Sequence, residues 1–256
     1  MKKDATHTIR RAEHFKTILT GEGFLVGLIA GLVVLLYRVL LEYAGRAMNV
    51  ILGYSRENPA AAGAWFVLLI LMACIVGKLV KWEPMISGSG IPQVEGEMTG
   101  KLEQVWWRVL PAKFLGGFLS LLAGLSLGRE GPSIQIGAMT GKALSKALDR
   151  GKTEEKYLLT CGASAGLAAA FHAPLAGVMF SLEEIHKNFS VSVLVSVMTA
   201  SITADYVSSQ FLGFHSVFQF DIGAEIQPRY YWHILILGVI LGLLGAFYNK
   251  MTLWVQ

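Results

Sequence analysis

Apolar residues run along this chain in stretches too long to be the buried face of a surface helix. Phe24–Tyr43 is the first and Ala60–Val80 the second. Each is long enough to cross about 30 Å of hydrocarbon as a helix. Weaker or glycine-rich stretches follow at Phe114–Leu127, Tyr157–Phe180, Val191–Phe211 and Tyr230–Trp254. Together they predict an all-α fold, a polytopic bundle of membrane helices. Polar breaks separate the stretches. Leu52–Ala60, with Asn58 and Pro59, predicts a loop. Lys81–Glu103 is polar, rich in glycine, and carries Pro84 and Pro92. Further breaks fall at Ser126–Ser133, at Leu148–Glu155 and at Phe214–Arg229.

Several hydrophobic stretches are short or interrupted. Ile134–Leu148 reads as a short helix opened by Pro132, and Leu175–Glu184 as a half-length helix opened by Pro174. Proline suits a first helical turn because its missing N–H has no partner there anyway. Broken helices at membrane depth are tolerated only where their exposed backbone is covered by protein or lines a cavity. Their N-terminal N–H groups attract anions. Small residues crowd Gly162–Gly177, which permits close helix packing.

Composition supports the membrane reading. Of 256 residues, 54% are hydrophobic and 16% charged, against about a quarter charged in soluble domains. The net charge is +4, with Lys2, Lys3, Arg10, Arg11 and Lys16 ahead of the first span. The positive-inside rule then places the N-terminus in the cytoplasm. A nucleic-acid-binding tail is the competing use of such charge, and a tail leading straight into a span argues against it. The first span is too long for a removable signal peptide, and no small-residue cleavage site follows it. Cys74 and Cys161 lie inside apolar runs and read as small buried hydrophobes.

Two segments carry candidate chemistry. In Ser87-Gly88-Ser89-Gly90-Ile91-Pro92, two glycines flank a serine and a proline starts a helix. The backbone can present successive N–H groups there, and Ser89 adds a neutral donor, suited to a monovalent anion that must bind and also leave. A flexible Gly-Ser loop with a helix cap is the plainer alternative. In Gly128-Arg129-Glu130-Gly131-Pro132-Ser133, a carboxylate stands at a helix mouth directly after an apolar run. It can occupy the helix N-terminus as an anion would. Burial there is expected to raise its pKa, so that protonation releases it. An interfacial Arg129–Glu130 ion pair with an ordinary cap is the alternative.

Taken together, Gly-Ser-Gly-Ile-Pro and Gly-Arg-Glu-Gly-Pro, about forty residues apart, resemble the signature motifs of the CLC chloride channels and chloride/proton antiporters. Gly162–Glu184, with Ala-Pro-Leu-Ala-Gly at 173–177, and Pro111-Ala112-Lys113-Phe114 are also similar to that family. The resemblance extends over nearly all of residues 20–256. It implies three parts: a cytoplasmic segment 1–20, the first half of an inverted repeat with tilted, broken helices at 21–230, and the start of a second half at 231–256.

The resemblance implies roles residue by residue. Ser89 matches the serine that coordinates the central chloride, with Gly88, Gly90 and Ile91 beside it. Relatives that prefer nitrate often carry proline at that position. Glu130 matches the external gate, and the backbone around Gly128–Gly131, including Arg129 and Gly131, would line outer anion sites. Glu184 matches the glutamate common in antiporters and replaced by valine in channels, so Glu130 and Glu184 would transfer protons. A solvated carboxylate beside Lys187 is the other reading of Glu184. Lys113 and Glu95 are expected to form a structural ion pair. The implied function is chloride transport, through proton-coupled exchange gated by Glu130, in a homodimer of the plasma (inner) membrane. A passive chloride channel and a nonfunctional half-length remnant are the alternatives.

The family's second half brings a Gly-x-Phe-x-Pro motif and a late tyrosine, and neither occurs after Tyr231. The sequence is therefore expected to be incomplete. Glu183 and His186 have the Glu-x-x-His spacing of a helical metal site, but no second copy occurs. No cofactor, metal or enzymatic nucleophile is expected; chloride and protons are the substrates, and no nucleic acid is expected as a partner.

Overall fold

The computed structural model describes residues 2–213 and 227–255, with side chains described from residue 16 onward. Every regular element among these residues is helical. In chain order they are α1 (Lys2–Glu57), α2 (Pro59–Trp82), α3 (Ile91–Met98), α4 (Trp106–Leu122), α5 (Glu130–Ala147), α6 (Lys152–Phe171), α7 (Pro174–Phe180), α8 (Val191–Leu212) and α9 (Tyr231–Val255). A 3-10 turn, Pro84–Ile86, precedes α3, and a π-helical turn, Ser181–His186, continues α7. The chain divides into two compact units, Met1–Val217 and Phe218–Gln256. In the second, α9 follows the 3-10 turn Pro228–Tyr230, and its side chains are exposed.

Among the described residues, four helical stretches are long and apolar enough to cross a membrane: Lys16–Glu57, Pro59–Trp82, Val191–Leu212 and Pro228–Val255. The expected loop Leu52–Ala60 is instead helix on both sides of a break at Asn58. A residue before proline is pushed out of the helical region, and Asn58 is extended (φ −130°, ψ 106°). Its Oδ1 accepts from the Ala60 N–H at 3.1 Å, capping α2 as α1 ends. The helix expected at Phe114–Leu127 is α4, which begins eight residues earlier and ends five earlier. Tyr157–Phe180 breaks into α6 and α7 at His172, whose left-handed backbone (φ 55°) ends α6 ahead of Pro174. The expected break at Phe214–Arg229 falls largely outside the described residues.

Small residues set the packing. On α1, Gly23, Gly27 and Gly31 recur every fourth position and face Ser196, Ala200 and Ala204 of α8. A Cβ added at Gly27 would stand 2.8 Å from the Ala200 Cα, and one at Gly31 2.9 Å from the Ala204 Cα. Between α5 and α6 the fit is reciprocal. A Cβ at Gly137 would stand 3.0 Å from the Gly162 carbonyl carbon, and one at Gly162 2.8 Å from that of Gly137. In lipid there is no hydrophobic drive between helices, so close backbone approach supplies the attraction.

A polar cluster ties α1, α6 and α8. Arg38 Nη1 donates to the Ala169 carbonyl at 3.2 Å and lies 3.1 Å from His172 Nε2. A guanidinium only donates, so Nε2 accepts and Nδ1 carries the hydrogen. That hydrogen faces Asp205 Oδ1, 3.2 Å away. Glu42 stands 3.8 Å from Arg38 Nε.

Candidate anion site

The two glycine-rich motifs meet. Gly88 and Gly90 both have left-handed backbones (φ 69° and 100°), which bend the chain sharply between the 3-10 turn and α3. Ser89 sits between them, and the Gly131 Cα packs against it: a Cβ at Gly131 would stand 2.8 Å from both the Ser89 carbonyl carbon and its Cβ. Only glycine at 131 lets the start of α5 approach the loop that starts α3. Two helix N-termini therefore converge, each a positive dipole end. α5 begins two residues earlier than the sequence indicated, so that Glu130 is its first residue and Pro132 its third.

The loops open onto a cavity of about 510 Å³ between α2, α4 and α5. It is lined by Ser87, Gly88, Ser89, Lys113, Gly128, Glu130, Gly131 and Pro132 among others, with Val76, Val80 and Leu127 on its apolar walls. Ser89 Oγ accepts from the Ile91 N–H at 3.2 Å, which leaves its own hydrogen free to donate. The N–H groups of Gly88, Ser89 and Gly90 donate to no acceptor among the described residues. The site thus offers several neutral donors and one buried ammonium, a set suited to a small anion.

Other expected site residues are placed differently. Ile91 is the first residue of α3 and its N–H is already used, and Gly90 packs on Gln135. Arg129 does not line the cavity; its guanidinium lies over the Phe171 ring, 5.6 Å from the centroid. Glu130 lines the cavity with its carboxylate folded back against Gly128, yet it is exposed rather than buried as expected. Glu184 is exposed on the π-helical turn, well outside the cavity lining.

The expected Lys113–Glu95 ion pair does not form. Lys113 Nζ donates instead to the Ile86 and Gly88 carbonyls, at 2.9 Å each. Glu95 pairs with Lys187, and that hydrogen bond holds the Lys187 ammonium above its ordinary range. The buried ion pair of this region is Lys142–Glu97. Glu95 and Glu97 are two residues apart, about 200° around a helix, so they face opposite sides of α3. Glu97 points to α5 and Glu95 to the end of the π-helical turn.

The profile of the voltage-gated chloride channel family matches residues 71–256, well over half of the chain. The chain belongs to the CLC family. The H(+)/Cl(-) exchange transporters ClcA of Salmonella paratyphi B and Salmonella newport are each 38% identical to it over 195 residues, which is 75% of this chain and 41% of theirs. The crystal structure of a slow cyanobacterial Cl-/H+ antiporter superposes on it with a TM-score of 0.80 at 32% identity, covering 91% of this chain and 56% of the antiporter. A CLC-type fluoride/proton antiporter shares the fold, with a TM-score of 0.70 at 24% identity. The chain spans about two-fifths of the length of the curated relatives it matches. These relatives are named as exchangers, not enzymes, and with its four long apolar helices this CLC chain is an integral membrane protein.

Proposed function

We propose that this chain forms one wall of a chloride pathway that exchanges chloride for protons. The observation that carries the reading is the meeting of the two motifs. Gly131 seats α5 on Ser89, so the free Ser89 hydroxyl, the free N–H groups of Gly88 and Ser89 and the Glu130 carboxylate border one cavity. A chloride ion would take the hydroxyl and amide hydrogens. Ionised Glu130 competes for the same positive helix ends, and its protonation frees them. The carboxylic acid then carries a proton as the anion site fills, which couples the two ions.

Named relatives that exchange H+ and Cl- support the antiport reading. So does Glu184, a carboxylate at the opposite end of the α7 segment from its proline, exposed where a proton from solvent can reach it. The basic residues before the first span support a cytoplasmic N-terminus, and the proposed location is the plasma (inner) membrane. A complementary half completes the anion pathway, and the assembly is a homodimer.

The test is paired recording of chloride and protons in liposomes. A chloride gradient is expected to drive protons against their own gradient. Chloride movement without protons would mean a passive pore; movement of neither would leave only a membrane partner.

A further inference from the structure

The anion reading explains why N–H groups should face the cavity, but not what keeps carbonyl groups out of it. Each peptide unit that presents an N–H also has an oxygen whose negative end repels an anion. A glycine-rich loop can rotate its peptides at little cost. Something must therefore hold these oxygens back.

Four successive oxygens of this loop are each held by a side-chain donor. The Met85 oxygen accepts from Gln135 Nε2 at 2.8 Å, the Ile86 oxygen from Lys113 Nζ at 2.9 Å, the Ser87 oxygen from Gln93 Nε2 at 2.7 Å, and the Gly88 oxygen from Lys113 Nζ at 2.9 Å. The donors come from α5, α4 and α3. The N–H groups of Met85, Ile86 and Ser87 are also engaged, by Glu83 Oε1 and by the Glu83 and Pro84 carbonyls. Only the N–H groups of Gly88, Ser89 and Gly90 remain free. The loop is tied along one edge and open along the other.

The donors are themselves anchored. Gln135 is fully buried and also donates to Gln104 Oε1 at 2.7 Å. Gln104 donates to Glu97 Oε2 at 3.0 Å, and its backbone oxygen accepts from Lys142 Nζ at 2.6 Å. The Lys142–Glu97 pair closes this chain. The Gln93 amide orientation follows from chemistry: its partner is a carbonyl oxygen, which needs a donor.

We propose that Lys113, Gln93 and Gln135 are positioning residues that set anion selectivity, by holding the Met85–Gly88 carbonyl oxygens away from the cavity. This rests on the chloride-pathway reading. Lys113 has a second effect, since its ammonium also attracts anions directly. Gln93 is neutral, so it reports peptide orientation alone. A small spherical anion depends on N–H groups converging at one point. Nitrate, with three oxygens spread over a plane, depends on this less.

The experiment is calorimetric titration of the purified protein with chloride and with nitrate, thermal midpoint recorded in parallel. Gln93→Met removes a donor at a half-buried position without changing charge. It is expected to weaken chloride binding about five- to tenfold, the size of one lost hydrogen bond, to weaken nitrate less, and to leave the midpoint in place. Lys113→Met is expected to weaken both anions, and Lys113→Arg, which keeps charge and donors, to restore most of the chloride preference. If Lys113→Met does not fold, Gln93→Met decides. Unchanged chloride affinity and chloride-to-nitrate ratio in Gln93→Met would overturn the clamp alone. A wild-type protein that binds no chloride would overturn the pathway reading, and the clamp with it.

Discussion

Ser89 and Lys113 show how far single residues could be read. Ser89 stood out because a serine between glycines is an uncommon way to meet a helix start, and its free hydroxyl hydrogen agrees with a donor role. Lys113 was legible through the family resemblance, which implied Glu95 as its partner. Its partners are backbone oxygens twenty-five and twenty-seven residues earlier, and sequence does not mark a carbonyl. Gln93 and Gln135 passed unnoticed for the same reason. The one signal was a glutamine in the otherwise apolar run Ile134-Gln135-Ile136, a polar group whose burial demands bonds. At this scale Ser89→Pro is expected to remove the hydroxyl donor and one free N–H, and so to shift transport toward nitrate. Flux ratios of chloride to nitrate check it; an unchanged ratio would remove Ser89 from the selectivity site.

At the scale of elements, helix existence was legible and helix ends were not. The apolar runs marked α1, α2, α8 and α9, since a span must be apolar along its whole length. α4 begins at Trp106, ahead of the apolar run that marked it. The π-helical turn after α7 left no sequence mark. Nothing in the sequence marks Ser196, Ala200 and Ala204 of α8 as the partners of Gly23, Gly27 and Gly31. Gly27→Leu would push α1 from α8 at the Ala200 backbone. Overpacking of this kind costs about 1–3 kcal/mol, so a lower thermal midpoint in detergent is expected. An unchanged midpoint would mean that α1 and α8 do not touch there.

For the whole molecule, two surfaces carry the argument. One is the cavity wall, which Ser89 and Glu130 share. The other is the exposed face of α8, where Val191, Val195, Met198, Ile202 and Tyr206 form one stripe at helical spacing, with Leu175 and Met179 of α7 also exposed. The proposed homodimer would place a second copy on these helices. Cross-linking in membranes is expected to give a species of twice the subunit mass, and a monomer at every protein density would contradict the dimer. The central claim concerns the first surface, where Glu130 is proposed to gate chloride and carry the proton. Its most direct test is chloride-driven proton uptake in liposomes, wild type beside Glu130→Gln. The wild type is expected to move protons uphill as chloride flows, and Glu130→Gln to pass chloride with no proton movement and no response to pH. Proton uptake that persists in Glu130→Gln would contradict the account.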